Sequence, residues 1–324
     1  MTQIKDMKEG EGFEGFYLVK SIELRKTKAG KDYLALTIQD ESGEISGNKW
    51  DAQPGELEKF APGTVVHVEG TREVYNNRPQ VNQIKVRLPE DGEPTDPKKF
   101  RVASPVDEAE LRETVQQFVF KIENATWARI VRALLKKFDK EFFEFPAAKS
   151  NHHAFEGGLA YHETTMLKLA EAIAGVYPQL NASLLYAGIL LHDMAKCLEF
   201  TGYENTQYTL RGNLIGHIVL IDEEIIRAAK ELNIDENSED LLLLRHVVLS
   251  HHGLLEYGSP VRPQVLEAEI VHEIDMIDAA IMMIDTAEKA VAPGQQTAKV
   301  WPLDNRQFYK PLWDKEEAGQ ETLF

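Results

Sequence analysis

Nine residues, Pro89-Glu90-Asp91-Gly92-Glu93-Pro94-Thr95-Asp96-Pro97, divide this chain into two halves that obey different periodicities. Three prolines, one glycine and four acids without an apolar residue can continue neither a strand nor a helix. Before this break apolar residues alternate in short runs closed by turn residues. After it they recur at helical spacing. No single layered domain satisfies both patterns, so the chain reads as a β unit over 1–88, a linker over 89–105, an α unit over 106–300 and a tail over 301–324.

The β unit contains five strand-like runs. They are Phe13 to Leu24, Tyr33 to Ile38, Ile45 to Trp50, Thr64 to Gly70 and Val81 to Leu88. Turn chemistry separates them at Lys28-Ala29-Gly30-Lys31, at Asp40 to Gly43 and at Asn76-Asn77-Arg78-Pro79. A short helix-compatible piece, Gly55 to Phe60, precedes the fourth run. Five strands with a small helix at that place are the arrangement of an OB-type barrel; another small β-barrel or an SH3-like domain is the alternative. OB faces bind single strands by stacking bases on aromatic rings and following phosphates with cations. Phe16, Tyr17, Tyr33 and Trp50, with Lys28 and Arg78, are therefore candidate substrate contacts, although some of the aromatics should be core.

In the α unit, helices are expected near 106–122, 127–138, 159–175, 182–198, 214–232, 239–250 and 264–290. Nine of the ten histidines lie here, between His152 and His272. His192-Asp193 closes the apolar run Leu184 to Leu191, so a core-anchored helix presents two ligands at its end. His162 follows a Gly157-Gly158 turn on the preceding helix, and Asp275 lies on a long later one. Imidazole nitrogens and carboxylate oxygens converging from three helices are what a divalent metal needs. Asp278 shares the face of Asp275 and is the alternative ligand, or else orients one. His217, His251 and His252 are further donors, enough for a second ion with Asp193 between the two. His152 and His153 read as substrate contacts or a polar loop, and His67, His246 and His272 as structural.

Composition narrows the class. The net charge of −17, most of it beyond residue 100, disfavours a nonspecific DNA coat. One cysteine, Cys197, permits no intramolecular disulfide, and no apolar run is long enough to span a bilayer. A soluble cytoplasmic protein without membrane contact is expected. Met276, Met282 and Met283 on the last helix suit packing or a homo-oligomer face.

The segment Leu191-His192-Asp193-Met194-Ala195-Lys196 resembles the HDxxK hallmark of the HD phosphohydrolase superfamily, with His162 before it and Asp275 after it. The ordered set is more specific. A strand-rich front domain, Asn151 to Leu159, HDMAK, Gly212-Asn213-Leu214-Ile215-Gly216-His217, Leu249-Ser250-His251-His252-Gly253 and Gly258-Ser259-Pro260 together resemble the YhaM family of 3′→5′ exoribonucleases. That resemblance implies hydrolysis of single-stranded RNA from the 3′ end to nucleoside monophosphates, with single-stranded DNA open as a second substrate. It also implies one or two divalent ions, Mn²⁺ or Co²⁺. Residues 160–163, Ala-Tyr-His-Glu, depart from the family's usual surroundings of the first histidine. Lys196, and with it Arg211, would then stabilise charge on the phosphate beside Asp193. Two rivals stand: an HD enzyme acting on nucleotides or cyclic dinucleotides, and a non-catalytic OB-type adaptor.

Overall fold

The computed structural model describes residues 2–75, 78–149, 153–203 and 206–313. Its first half is a closed barrel of five strands, β1 (Gly12–Lys26), β2 (Asp32–Asp40), β3 (Gly43–Trp50), β4 (Val65–Tyr75) and β5 (Arg78–Arg87), in the order β1-β2-β3-β5-β4 with β4 returning to β1. The short helix α1 (Glu56–Lys59) stands before β4, and Phe60 at its end is buried in the barrel. All neighbours are antiparallel except β3 and β5, which meet in parallel at Ser46↔Gln80 and Gly47↔Val81. Closure there needs a bare backbone. A Cβ on Gly47 would lie 2.8 Å from the Val81 carbonyl oxygen, and one on Gly70 only 2.4 Å from Val81 Cγ1. The architecture expected from the two periodicities, an OB-type barrel followed by helices, is the one observed.

Strand alternation decides which aromatics are free. Phe13, Gly15, Tyr17 and Val19 point inward along β1, so Tyr17 is core and not a base-stacking residue. Its ring meets Phe13 edge-on, and its hydroxyl donates to the Thr2 carbonyl at 2.7 Å. Tyr17→Phe should cost about 1 kcal/mol in a denaturant melt and leave RNA affinity unchanged; a weakened affinity would return Tyr17 to the binding surface. Phe16 points outward but packs edge-on to His67 and against Leu18, Val65 and Phe100, so protein covers part of its ring. Tyr33 and Trp50 are cross-strand partners with ring centroids 5.0 Å apart, and Trp50 is half exposed. Lys28 is exposed in the turn between β1 and β2, at the end of the barrel where this pair lies. The Arg78 side chain lies outside what is described.

The linker docks onto its neighbours. Arg87 holds Glu93 through two bonds of 2.6 and 2.9 Å, and a turn at Pro97–Phe100, capped by Asp96, buries Phe100 against Leu18 and Val65. Gln39 of β2 donates to Tyr203 of the helical half at 3.0 Å, and burial pushes the Tyr203 hydroxyl up to about 12.

The helical half comprises α2 (Glu108–Lys121), α3 (Ala125–Lys137), α4 (Asp139–Glu144), α5 (Gly158–Val176), α6 (Ala182–His192), α7 (Lys196–Glu199), α8 (Leu210–Ile215), α9 (His217–Glu231), α10 (Glu239–Ser250) and α11 (Leu266–Lys289). Asn124, Asn181 and Thr209 cap α3, α6 and α8 by accepting backbone N–H bonds. Helix α6 is central, and every residue from Leu184 to His192 is buried. The absent side chain of Gly188 admits α10, since a Cβ would meet Val247 at 2.5 Å.

Two helices expected to be continuous are broken. The 182–198 stretch stops at His192, where the bonds Met194 N–H to Leu191 O and Lys196 N–H to Asp193 O tighten the chain before α7. The 214–232 stretch splits at Gly216, whose φ of 78° starts α9 anew at His217. Of the tail, residues 301–313 fold back beside 296–300 through bridges Gln296↔Tyr309 and Val300↔Arg306; residues 314–324 lie outside those described. Among the described residues no helix is long and apolar enough to cross a membrane.

Candidate metal centre

Each donor is delivered by a local device. Helix α5 starts at Gly157 and Gly158, and a Cβ on Gly158 would fall 2.0 Å from the His153 carbonyl oxygen, so only glycine lets the 153–157 turn close against the helix. His162 lies one turn further on. The apolar α6 carries His192 and Asp193 to the interior, and α9 begins at His217 itself. At the end of α10 come His251 and His252, followed by Gly253 with φ of 72°. The His272 ring on α11 occupies the space beside Gly253 and bonds the His251 carbonyl through Nδ1 at 2.8 Å. One turn later α11 presents Asp275.

These side chains converge on Asp193. Its Oδ2 lies 3.4 Å from His192 Nε2 and 3.7 Å from His162 Nε2. Its Oδ1 lies 3.3 Å from His217 Nε2 and 3.9 Å from His251 Nε2. Asp275 Oδ1 stands 3.3 Å from His162 Nε2. Donor atoms of His162, His192 and Asp193, of His192, His251 and Asp275, and of His217, His251 and His252 form three close groups, each with all its atoms within 4.8 Å.

The opposite ring nitrogens are all engaged. Nδ1 of His162 faces Asp278 at 2.7 Å, that of His192 the Ile189 carbonyl at 2.8 Å, and that of His217 Glu199 at 3.1 Å. Nδ1 of His251 faces the Val248 carbonyl at 2.7 Å, and that of His252 the Tyr257 carbonyl at 2.6 Å. With Nδ1 donating, each Nε2 turns a lone pair inward whenever it carries no proton. The Nε2 atoms of His192, His217 and His251 and the Oδ1 of Asp193 are buried without a hydrogen-bond partner among the described residues. Buried polar atoms are rarely left so. Several orphan acceptors aimed at one carboxylate are a cation site, and nitrogen donors with carboxylates suit a divalent transition metal.

The electrostatics agree. Burial opposes a charge on His162, but the carboxylates of Asp275 and Asp278 outweigh it and raise the imidazole to about 9. Burial likewise opposes charge on His192, yet Glu163 and Asp193 hold it well above its ordinary value. Asp193 is held well below the usual carboxylate range: burial works against its charge, and Lys196 and His192 overcome it. Lys196 is buried and bonded to Asp193, which raises it against burial. Without an ion, protons on His162 and His192 supply the positive charge the carboxylates demand.

The candidate residues thus divide. His162, His192, Asp193, Lys196, His217, His251, His252 and Asp275 come together. Arg211 does not: it is nearly half exposed on α8 and pairs with Glu223 at 3.3 Å, because α8 turns that face to solvent before the Gly216 break. His153 is no substrate contact. Its φ of 52° folds the ring inward, where Nε2 bonds Asp278 at 2.6 Å and the side chain is fully buried. His152 lies outside the described residues. Asp278 takes the orienting place, gathering His153, His162 and, at 2.7 Å, Thr165. His246 accepts from Gln264 N–H, and His67 faces Glu14 at 3.0 Å. Two carboxylates escaped the sequence reading. Glu199 backs His217, and Glu163, wholly buried and pushed up by burial, lies 3.5 Å from His192 Nδ1. Glu163 follows a proposed ligand directly in sequence, and Glu199 lies at Asp193 + 6, a spacing that shares no helical face with Asp193, so periodicity gives no signal for it.

Comparison with known proteins adds the identity of the framework. The HD domain family model matches residues 159–280, which contain every member of the cluster. Such a domain binds divalent metal, as the convergent donors indicate. A Listeria welshimeri protein described as 3′-5′ exoribonuclease YhaM is 41% identical over 314 residues, 96% of this chain and 99% of that protein. Proteins of the same description from Bacillus velezensis and Bacillus subtilis are each 44% identical, over 94% of this chain and 96% and 97% of theirs. Near-complete coverage on both sides includes barrel, helices and metal cluster, and this chain belongs to the YhaM family of 3′-5′ exoribonucleases.

Proposed function

We propose that this protein is a divalent-metal-dependent 3′→5′ exoribonuclease that releases nucleoside monophosphates from single-stranded RNA in the cytoplasm. The observation that carries the reading is Asp193, whose two oxygens face two separate sets of imidazoles. In this reading His162, His192, Asp193 and Asp275 hold one ion, and Asp193, His217, His251 and His252 hold another. Mixed nitrogen and carboxylate donors suit a divalent transition metal, and the family resemblance makes it Mn²⁺, with Co²⁺ second. The ions supply Lewis acidity at the scissile phosphate when bound. Lys196 is bonded to Asp193 and would offer a compact cation to a phosphoryl oxygen of the substrate. Water attacks phosphorus as the bond to the leaving 3′ oxygen of the penultimate nucleotide breaks, and the leaving oxygen takes a proton.

The barrel retains the strand behind the reacting end. Tyr33 and Trp50 offer a stacking platform, with Lys28 beside them for a phosphate. Base stacking contributes about 1–3 kcal/mol per base, so Trp50→Ala should raise KM for a long RNA roughly tenfold. The kcat should hold, and a dinucleotide should be cleaved as before. An unchanged KM would remove Trp50 from the binding path. A homo-oligomer would use the exposed Met276, Ile277 and Ile281 of α11, and light scattering tests it.

The deciding experiment offers 5′-labelled single-stranded RNA with Mn²⁺, and single-stranded DNA in parallel. A ladder of progressively shorter products supports the reading. Immediate internal cuts refute it, and preferential turnover of nucleotides or cyclic dinucleotides favours a different HD phosphohydrolase. Tight RNA binding without cleavage favours an adaptor.

A further inference from the structure

Among the five histidines of the cluster, only His162 and His217 have Nδ1 held by a carboxylate at 3.1 Å or less. For His217 that carboxylate is Glu199, whose Oε1 accepts both the His217 backbone N–H and its Nδ1–H, each at 3.1 Å. Glu199 is buried, and its backbone is locked in place. Thr209 N–H bonds the Glu199 carbonyl at 2.8 Å, and a Cβ on Gly212 would fall 2.3 Å from that oxygen and 2.9 Å from the Glu199 Cα. The corner between α7 and α8 therefore closes on Glu199 through a contact only glycine allows. From this point a chain of groups runs to the centre: Glu199 Oε1, His217 Nδ1, then His217 Nε2 and Asp193 Oδ1 at 3.3 Å.

We propose that Glu199 is a positioning residue for the second ion. Its carboxylate fixes His217 with the proton on Nδ1 and the Nε2 lone pair toward Asp193, and it makes that nitrogen the stronger donor. His251 and His252, backed by carbonyls, lack this support. Glu199 touches neither ion nor substrate; it sets how tightly the His217 ion is held. The inference rests on the two-ion reading above.

Calorimetric and electron-paramagnetic-resonance titration with Mn²⁺ tests it on the full-length wild type, Glu199→Gln and His217→Ala. The glutamine can still accept the α9 N–H bond but has no charge, so a purely structural role predicts unaltered metal binding. The wild type should take two ions and His217→Ala should lose tight binding of one. Glu199→Gln should bind one ion as the wild type does and the other about 10- to 100-fold more weakly, with kcat recovering at high Mn²⁺. Wild-type affinity for both ions in Glu199→Gln overturns the role of Glu199. A wild type that binds one ion, with His217→Ala unchanged, overturns the two-ion reading itself, and the two failures are distinct. Should Glu199→Gln not fold, Glu199→Asp carries the comparison: it keeps the charge but withdraws it, so the second ion should again weaken.

Discussion

Asp193→Ala is expected to lower kcat/KM for RNA by on the order of 1,000-fold or more at saturating Mn²⁺. The two oxygens of Asp193 face both halves of the cluster, and its loss deprives His162 and His192 on one side, and His217 and His251 on the other, of their common anion. Metal Lewis acidity contributes several kcal/mol to such a reaction, and each 1.4 kcal/mol is a factor of ten. The variant should fold, because the helical core is apolar and extends from Leu111 to Ile274 independently of this carboxylate. It should melt lower, since Lys196 loses its partner while remaining buried. Asp193→Asn keeps the volume and separates lost charge from lost packing. Substantial metal-dependent turnover by a folded Asp193→Ala protein would falsify the proposed site.

The residues that were legible in the sequence owe their legibility to chemistry that sequence spacing preserves. Period-2 runs and turn residues marked all five strands, and the apolar run before His192 marked α6 as a core helix. What escaped depended on a single dihedral or on distant pairing. Gly216 splits a helix through one positive φ, and nothing in the apolar pattern on either side announces it. Tyr17 and Phe16 are adjacent aromatics of similar promise, but inward alternation buries one and the docking of Phe100 covers part of the other. Arg211 lies close in sequence to His217 and yet faces solvent. His153 folds inward on a φ of 52° and becomes a support for Asp278. Glu199 and Glu163 were hardest to see, because Glu199 backs His217 from 18 residues away and Glu163 faces His192 from the neighbouring helix.

Removing the metal should expose what the cluster costs the fold. Buried orphan acceptors destabilise a structure unless something satisfies them, so the ion should act as a ligand of the native state alone. At a free Mn²⁺ concentration about 1,000 times Kd the linkage amounts to roughly 4 kcal/mol, which for a domain of this size shifts the melting temperature by roughly 10 °C. The pH dependence has a defined sign. In the metal-free protein His162, at about 9, and His192 are raised above the unfolded value near 6.5. Their contribution is complete below about 6.5 and is lost as pH rises through their folded values. His251, His252, His153 and His246 are depressed, so what they withdraw is felt only as pH falls below about 6.5. Between about pH 7 and 9 the raised pair therefore decides, and metal-free protein should melt progressively lower. Metal-loaded protein holds no protons at these nitrogens and should be nearly flat over the same range. The gap between the two melting curves, followed by differential scanning fluorimetry with and without chelator, should widen as pH rises. A gap that narrows would mean that His162 and His192 are not displaced by the ion, and would remove both from the ligand set.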